Sequence, residues 1–282
     1  MNQHIQRPLT VIVLAGGLGK RMQSDLPKVL HPIHGEPMIV RILKEVHQLR
    51  PQRTLVVVNP LTHDQIKTTV QEHLHQDDTN NANNANNIEY IVQNEPRGTG
   101  HAILSCIPSI NTLTDNVSKH TVLILSGDVP LLRAETMHQI ADQVDLVKIA
   151  TTVLDNPQGY GRILTTNINA TEQFCRIVEE RDCTEEEKCI HKVNCGVYAF
   201  DSTTLCQYIV QVQPNNAQQE YYLTDVVHLI SQGEQTVVDM VDIPVHQQYQ
   251  LLGVNTPEQL AQVEALAIVD PIPVPVPDPD PL

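Results

Sequence analysis

Glycines and cations follow the first apolar stretch of the chain. The run VIVLAGGLGKRMQSDLPKVL, residues 11–30, contains two adjacent glycines, then a third glycine, then Arg21, and Lys28 after a proline. Glycines let backbone N–H groups approach an anion without a side chain in the way. Arginine adds a forked donor that is always charged, and lysine adds a compact cation. This pattern predicts a loop that binds phosphate, although a plain strand–turn with surface cations would have similar residues.

Two familiar phosphate loops do not fit this run. A Walker A loop needs Ser or Thr after Gly-Lys, but Arg21 follows Gly19 and Lys20 here. A dinucleotide-binding turn needs GxGxxG, and Met22 stands where its last glycine belongs, after Gly17 and Gly19. The loop must therefore surround phosphates in another way.

Two further polar segments follow apolar runs. SGDVPLL (126–132) places Asp128 directly after a buried strand, where a carboxylate can hold Mg²⁺ against phosphates or simply cap a turn. QNEPRGTGHA (93–102) is a polar turn in which Gln93 and the backbone near Gly98 are suited to recognise the edge of a base.

The first half of the chain alternates strand-like and helix-like patterns. Near-continuous apolar strands that alternate with helices predict a parallel sheet covered on both faces, with ligands beyond the carboxyl ends of its strands. The predicted strands are 10–15, 54–59, 88–93 and 121–126, and the predicted helices are 37–49, 61–74 and 99–107.

The second half reads as strands with little helix between them, which predicts an added and partly antiparallel region. These strands are 147–154, 160–166, 173–180 and 192–201. A late helix is predicted at 256–269, with Thr256 as its N-cap and Gln259 completing a capping box.

Composition restricts the function classes. The net charge of −15 over 282 residues argues against binding to nucleic acid or to an anionic membrane surface. No signal peptide and no apolar run of about 20 residues is evident, so a cytoplasmic protein is expected. The six cysteines form no CxxC pair, which favours ordinary buried thiols over a metal site. The sequence also predicts an Asn-rich surface loop at 79–87 and an extended proline-rich tail at 270–282.

Together these segments carry a family resemblance. LAGGLGKRMQSDLPKVLHPIHGEPM (14–38) resembles the signature of sugar-1-phosphate nucleotidyltransferases. The chain over residues 9–265 is similar to the uridylyltransferase domain of the bifunctional bacterial enzyme that makes UDP-N-acetylglucosamine. The further matching segments, in order, are QNEPRGTGHA, GDVPLL, NPQGYGRI, IVEERDCTEEE, NCGVYAFD, NNAQQEYYLTDVV and GVNTPEQL.

The resemblance implies a fold and a domain division. The fold is α/β, a Rossmann-like and mostly parallel sheet flanked by helices, known as the nucleotide-diphospho-sugar transferase fold. It carries an added, partly antiparallel sugar-binding region. The implied parts are a nucleotidyltransferase domain at 1–255, with a nucleotide half near 9–130 and a sugar half near 131–255, then the helix 256–269 and the tail 270–282.

The resemblance also implies a role for each matching residue. The implied catalytic cations are Arg21 and Lys28, and the implied Mg²⁺ ligands are Asp128 and Asn255. The implied nucleotide-binding residues are Leu14, Ala15, Gly16, Gly17, Gln93, Gly98 and Thr99. The implied sugar-binding residues are Gly161, Glu179, Asn194 and Thr224.

The activity that the resemblance implies is transfer of UMP from UTP to N-acetylglucosamine-1-phosphate, with Mg²⁺ as cofactor. The product supplies peptidoglycan and lipopolysaccharide synthesis. A uridylyltransferase for another sugar phosphate, such as glucose-1-phosphate, and a non-catalytic regulator that binds a nucleotide sugar remain alternatives. A molybdopterin-type nucleotidyltransferase shares the opening loop but does not account for NNAQQEYYLTD.

One departure from the family concerns the end of the chain. Bifunctional members continue into a left-handed β-helix that acetylates glucosamine-1-phosphate, whereas this chain has no such repeat after residue 260. If the sequence is complete, we expect uridylyltransferase activity alone; if it is part of a longer protein, the acetyltransferase half lies elsewhere. Because family trimers form through the β-helix, we expect a monomer or a weak dimer.

Overall fold

A computed structural model of the chain describes residues 7–76, 87–114, 120–168, 171–233 and 237–269. The predicted Asn-rich loop, apart from Asn87, and the predicted proline-rich tail lie outside the described residues.

The described residues form strands and helices that we number along the chain. The strands are β1 Leu9–Leu14, β2 Pro32–Ile33, β3 Glu36–Pro37, β4 Arg53–Val58, β5 Ile88–Val92, β6 Thr121–Ser126, β7 Val147–Val153, β8 Arg162–Ile168, β9 Thr171–Val178, β10 Lys192–Asp201 and β11 Asp239–Asp242. The helices are α1 Met38–Gln48, α2 His63–Gln76, α3 Thr99–Thr114, α4 Ala134–Ala141, α5 Glu185–Lys188, α6 Ser202–Ile209, α7 Leu223–Ser231 and α8 Pro257–Val269.

One large sheet organises the described residues. Its order is β11-β7-β10-β6-β1-β4-β5, and β8 pairs with both β10 and β9. Strands β5, β4, β1 and β6 are parallel, whereas β10 runs antiparallel to β6, β7 and β8, and β8 and β9 form an antiparallel hairpin. The predicted α/β class is confirmed, and the second half is partly antiparallel as expected.

The central strands are apolar along their length because helices cover both faces of the sheet. Helices α1, α2 and α4 pack on one face, in a core with Val11 and Val13 of β1. Helices α3, α6 and α7 pack on the other face, with Ile12 of β1. The alternate side chains of a single strand therefore enter two different cores.

Helix α3 extends further than the sequence pattern predicts. The predicted helix ends at residue 107, before Pro108, but α3 continues across that proline to Thr114. A proline inside a helix removes one hydrogen bond and costs about 3 kcal/mol. Cys106 and Ile110 are fully buried on both sides of the proline, and their packing favours the continued helix.

The predicted strands of the second half have little helix between them, as expected, since only the four-residue α5 lies there among the described residues. Helices α6 and α7 follow the last of these strands, and the sequence pattern does not predict them. Helix α6 begins at the N-cap Asp201, whose carboxylate accepts the Thr204 N–H over 3.1 Å. Helices α6 and α7 have only eight and nine residues, and apolar segments of that length do not reveal helix or strand by periodicity.

The carboxyl ends of the parallel strands share one edge. Leu14 at the end of β1 pairs with Ser126 at the end of β6 and with Val57 of β4. The loops that follow these strands are therefore neighbours, as the parallel order requires. Residues of both predicted halves contribute to this sheet, and the proposed division near residue 130 stays a prediction.

Within the described ranges, no helix has both the length and the hydropathy that crossing a bilayer requires.

Candidate active site beyond the carboxyl ends of the strands

Four polar side chains from distant parts of the chain meet beyond β1 and β6. Arg21 and Lys28 lie in two single-turn 3-10 helices that follow β1. Lys28 Nζ donates to Asp128 Oδ2 and, over 3.1 Å, to Asn255 Oδ1. Arg21 Nη2 donates to the same Asn255 oxygen over 3.0 Å. The structure thus brings together the residues predicted as catalytic cations and metal ligands.

The Asp128 carboxylate is held from two sides. Ser126, at the end of β6, donates its hydroxyl to Asp128 Oδ1 over 2.6 Å, while Lys28 contacts the other oxygen. The Asp128 backbone carbonyl accepts the Val254 N–H over 2.9 Å. The Asp128 side chain remains 13% exposed, so it is oriented by the protein and still accessible.

The start of α8 positions Asn255. The Gln259 N–H donates to Thr256 Oγ1 over 3.3 Å, as the predicted cap requires. The Gln259 side chain, however, accepts the N–H of Asn255 over 2.8 Å, one residue before the N-cap. Thr256 therefore makes its half of the predicted capping box. The Gln259 side chain binds the backbone of Asn255 instead of that of Thr256, and so anchors the predicted metal ligand.

Gly19 allows the loop after β1 to lie against Lys28. Gly19 has a φ of +62°, in the left-handed region that favours glycine. A Cβ at this position would lie 2.7 Å from Lys28 Cβ, which is too close for any side chain. The third glycine of the opening run is thus required by geometry.

The donor set beside Lys28 fits Mg²⁺. Asp128 offers a carboxylate, and Asn255 offers an amide oxygen next to it. Magnesium prefers oxygen ligands and is commonly bound by one or two carboxylates together with substrate phosphates. Nowhere in the described part of the chain do three His, Cys, Asp or Glu side chains form a metal-binding group. The site suits a hard cation that takes its remaining ligands from substrate or water.

The predicted nucleotide-binding residues line the loops after β1 and β5. Leu14 is half-buried, Ala15 is buried and Gly17 is exposed. The Gly16 carbonyl accepts the Asn59 side-chain amide over 2.9 Å, which fixes the loop after β1. A Cβ on Gly16 would lie 3.3 Å from Gln93 Oε1, so the two loops nearly touch.

The turn after β5 is clamped by the segment before α7. Gly98 has a φ of +103°, and a Cβ there would lie 2.5 Å from the carbonyl oxygen of Tyr221. Thr99 Oγ1 accepts the N–H of Leu223 over 3.0 Å, so this side chain serves the start of α7. The turn is therefore built for close backbone contact.

The four predicted sugar-binding residues also converge. Thr224 donates its hydroxyl to Glu179 Oε1 over 3.1 Å, and the Asn194 N–H donates to the Gly161 carbonyl over 2.9 Å. A Cβ on Gly161 would lie 3.5 Å from Glu179 Oε2 and 3.6 Å from Asn194 Cβ. Asn194 also donates to the Tyr198 hydroxyl over 2.6 Å. These contacts gather the four residues into one polar cluster around the backbone of Gly161.

Burial changes the acidity of Glu179 in this cluster. The pKa of Glu179 is raised, chiefly because burial disfavours its charged form, with repulsion from Asp225 and Asp182 in the same direction. The hydrogen bond from Thr224 opposes the shift by stabilising the carboxylate. The hydroxyl of Thr224 is thus a direct partner of the Glu179 carboxylate.

Two residues around the site, Tyr160 and Ser126, have no role that the sequence predicts. Burial raises the pKa of the Tyr160 phenol, as do the neighbouring Cys195 and Asp128, while a backbone hydrogen bond from Gly253 lowers it. Tyr160 lies in the matching segment NPQGYGRI, and the sequence does not indicate that its phenol lies in the electrostatic field of Asp128. Ser126 could have been found as a hydroxyl at a strand end, two residues before the carboxylate it contacts.

An α/β sheet with a glycine–cation loop and a carboxylate at its strand ends defines the nucleotidyltransferase class. A family profile described as "MobA-like NTP transferase domain" matches residues 11–189. The chain belongs to this family of NTP transferases.

Curated relatives with named activities resemble the chain over most of its length. The chain is 38% identical over 268 residues to a mimivirus protein named "Probable UDP-N-acetylglucosamine pyrophosphorylase", covering 94% of this chain and 98% of that protein. It is 38% identical to the "Bifunctional protein GlmU" of Trichormus variabilis, covering 90% of this chain and 51% of that protein. The chain therefore spans about half the length of the bifunctional relatives. The predicted resemblance to their uridylyltransferase part is confirmed.

Solved structures show the same fold. A candidate glucose-1-phosphate thymidylyltransferase from Bacillus anthracis superposes with a TM-score of 0.67 at 19% identity, covering 92% of this chain and 95% of that one. A UDP-glucose pyrophosphorylase complexed with UDP-glucose gives a TM-score of 0.66 at 15% identity, covering 93% and 99%. At these identities the likeness concerns the fold.

Proposed function

We propose that this protein transfers UMP from UTP to N-acetylglucosamine-1-phosphate, giving UDP-N-acetylglucosamine and pyrophosphate. The observation that carries the proposal is the convergence of Arg21, Lys28, Asp128 and Asn255 at one edge of the sheet. The names of the relatives support the choice of substrates. Because UTP is a cytoplasmic metabolite, the proposed reaction belongs in the cytoplasm, and the expected monomer or weak dimer stays a prediction.

The proposed chemistry needs charge neutralisation more than acid–base catalysis. An oxygen of the sugar phosphate forms a bond to the α-phosphorus of UTP, and the bond from that phosphorus to the pyrophosphate oxygen breaks. The attacking oxygen is already an anion at neutral pH, so its attack requires no strong base. The obstacle is repulsion between two polyanions, which Lys28 and Arg21 offset by binding phosphate oxygens.

Asp128 and Asn255 would hold Mg²⁺, as the oxygen donors of this site permit. When bound, the ion would supply further positive charge to the phosphates of both substrates. Two residues keep these metal ligands in place: Ser126 donates to the Asp128 carboxylate, and Gln259 accepts the Asn255 N–H.

The remaining predicted residues form two groups, one for UTP and one for the sugar phosphate. Gln93 and the turn at Gly98 are suited to bind the base, since they face the loop that holds the phosphates. Glu179 and Asn194, which meet beside the buried backbone of Gly161, are suited to bind the hydroxyl and acetamido groups of the sugar. Binding both substrates at one sheet edge aligns them for in-line attack.

Release of pyrophosphate tests the function directly. With UTP and Mg²⁺, N-acetylglucosamine-1-phosphate is expected to give a kcat/KM at least about tenfold above that of glucose-1-phosphate, because a pocket built to hydrogen-bond a group rejects analogues that lack it. Parallel reactions with dTTP and CTP measure the nucleotide preference. Reactions without sugar phosphate control for hydrolysis of UTP.

Two outcomes of this assay would contradict the proposal in different ways. A clear preference for glucose-1-phosphate would overturn the sugar and retain the reaction. Absence of pyrophosphate release with every sugar phosphate would overturn the reaction, and binding of UDP-N-acetylglucosamine without turnover would then favour a regulator.

Thr224→Val is expected to weaken sugar binding selectively. The change removes the hydroxyl that donates to Glu179 while keeping the side-chain shape. Loss of one such hydrogen bond should raise KM for N-acetylglucosamine-1-phosphate about three- to tenfold and leave KM for UTP unchanged. Thr203→Val, at an exposed position of α6, is the matched control. Equal increases in both KM values would contradict a role in sugar binding.

A further inference from the structure

The orientation of the Gln93 side-chain amide follows from its neighbours. Gln93 is 5% exposed, and its Nε2 lies 3.1 Å from the Gly98 carbonyl oxygen. The same nitrogen lies 3.1 Å from His101 Nδ1. A carbonyl oxygen only accepts hydrogen bonds, so the group that faces it must be the NH₂ of the amide. The amide cannot be reversed without placing two oxygens against each other.

Both protons of that NH₂ are then committed. One goes to Gly98, and the other points at His101 Nδ1, which must accept it. The neutral imidazole of His101 therefore carries its proton on Nε2. Only Oε1 of Gln93 remains for other partners, and it faces Gly16, at 3.3 Å from where a Cβ of that glycine would lie.

The His101 ring is itself held in place. His101 lies in the first turn of α3, and its ring packs against the Tyr221 ring with centroids 6.1 Å apart. The Tyr221 backbone accepts the Gly100 N–H over 2.7 Å and donates to the Arg97 carbonyl over 2.8 Å. The acceptor that orients Gln93 is therefore fixed by an element on the far side of the turn.

We propose that His101 is a positioning residue for base selection, because it fixes the Gln93 amide with its oxygen toward the nucleotide. This inference rests on the proposed function and on Gln93 facing the base. An oxygen acceptor matches the N3–H of uracil, whereas cytosine has a lone pair on N3 and is repelled. Thymine shares the N3–H with uracil, so this contact does not separate UTP from dTTP.

Two variants of His101 test the proposal. His101→Ala removes the acceptor, and Gln93 can then rotate. His101→Asn restores it, because the asparagine Oδ1 stands as many bonds from the backbone as the histidine Nδ1. For each variant, kcat/KM is measured for UTP and for CTP with N-acetylglucosamine-1-phosphate as acceptor. The ratio of the two values does not depend on the fraction of protein that is active.

We expect the preference for UTP over CTP to change and the KM for the sugar phosphate to stay the same. His101→Ala should lower the preference for UTP over CTP about three- to tenfold, the effect of one lost hydrogen bond, through a higher KM for UTP. His101→Asn should recover most of that preference, and KM for the sugar phosphate should stay constant in both variants. Calorimetric binding of UTP and CTP without sugar phosphate gives the same ratio independently of turnover.

The role of His101 and the proposed function can be overturned separately. If the unaltered protein turns over UTP but His101→Ala keeps its full preference for UTP, the role of His101 is overturned and the proposed function stands. The same conclusion follows if His101→Asn shows no recovery. If the unaltered protein releases no pyrophosphate with any sugar phosphate, the proposed function is overturned, and the calorimetric ratio decides the role of His101.

Discussion

Asp128→Asn is expected to lower kcat by about 10²- to 10³-fold, the loss typical of removing one electrostatic partner of the transition state. The substitution keeps the size of the side chain, and the backbone carbonyl that accepts the Val254 N–H is unchanged. What disappears is a negative charge that contacts Lys28 on one side and the Ser126 hydroxyl on the other. A neutral amide is a much weaker ligand for Mg²⁺ than a carboxylate.

Steady-state release of pyrophosphate over a range of Mg²⁺ concentrations measures this effect. The apparent affinity for Mg²⁺ should fall together with kcat, and direct binding of Mn²⁺ in the presence of UTP should weaken as well. Asp142→Asn is the matched control, because Asp142 is an exposed carboxylate at the C-terminal end of α4. An Asp128→Asn variant with normal kcat and normal Mn²⁺ binding would refute the role of Asp128 as a metal ligand.

Lys28→Ala is expected to lower kcat by about 10²-fold, since it removes a compact cation from beside the reacting phosphates. The Lys28 side chain is 15% exposed, so the screening by solvent that weakens surface charges is reduced here. KM for UTP should change less than kcat, because neutralisation matters most while charge is redistributed between the two phosphates. Lys67→Ala, an exposed position on α2, is the control.

A second substitution separates charge from shape at this position. Lys28→Arg keeps the charge, but the larger guanidinium must fit where the Gly19 backbone lies close to the Lys28 side chain. We therefore expect an activity between those of Lys28→Ala and the unaltered protein. If Lys28→Ala retained its kcat, a catalytic role for this lysine would be ruled out.

Most of the central sheet could be predicted from the sequence alone. Apolar runs such as TVLILS predict buried strands, and the structure has β6 at the same residues, 121–126. Other strand boundaries differ by one or two residues, as for β9, predicted at 173–180 and found at Thr171–Val178. These features are local, since periodicity and turn residues act over a few positions along the chain.

The short helices of the second half could not be predicted in the same way. LTDVVHLIS, the sequence of α7, is apolar with β-branched residues, and such a segment suits a buried strand as well as a buried helix. It becomes a helix because it packs with α3 and α6 over one face of the sheet. Whether this segment forms a helix or a strand therefore depends on packing in the core, which the local sequence pattern does not reveal.

The amino-acid sequence by itself determined the α/β class, the glycine–cation loop after β1, the carboxylate at the end of β6 and the family. Each of these follows from residue types at short spacing, which local backbone chemistry constrains directly. Only the tertiary structure decided which polar atoms face each other. Lys28 and Asn255 are 227 positions apart, and their contact depends on how α8 docks after β6. The orientation of the Gln93 amide likewise follows from His101 and Gly98 in three dimensions, because hydrogen-bond direction is set by packing and no sequence spacing records it.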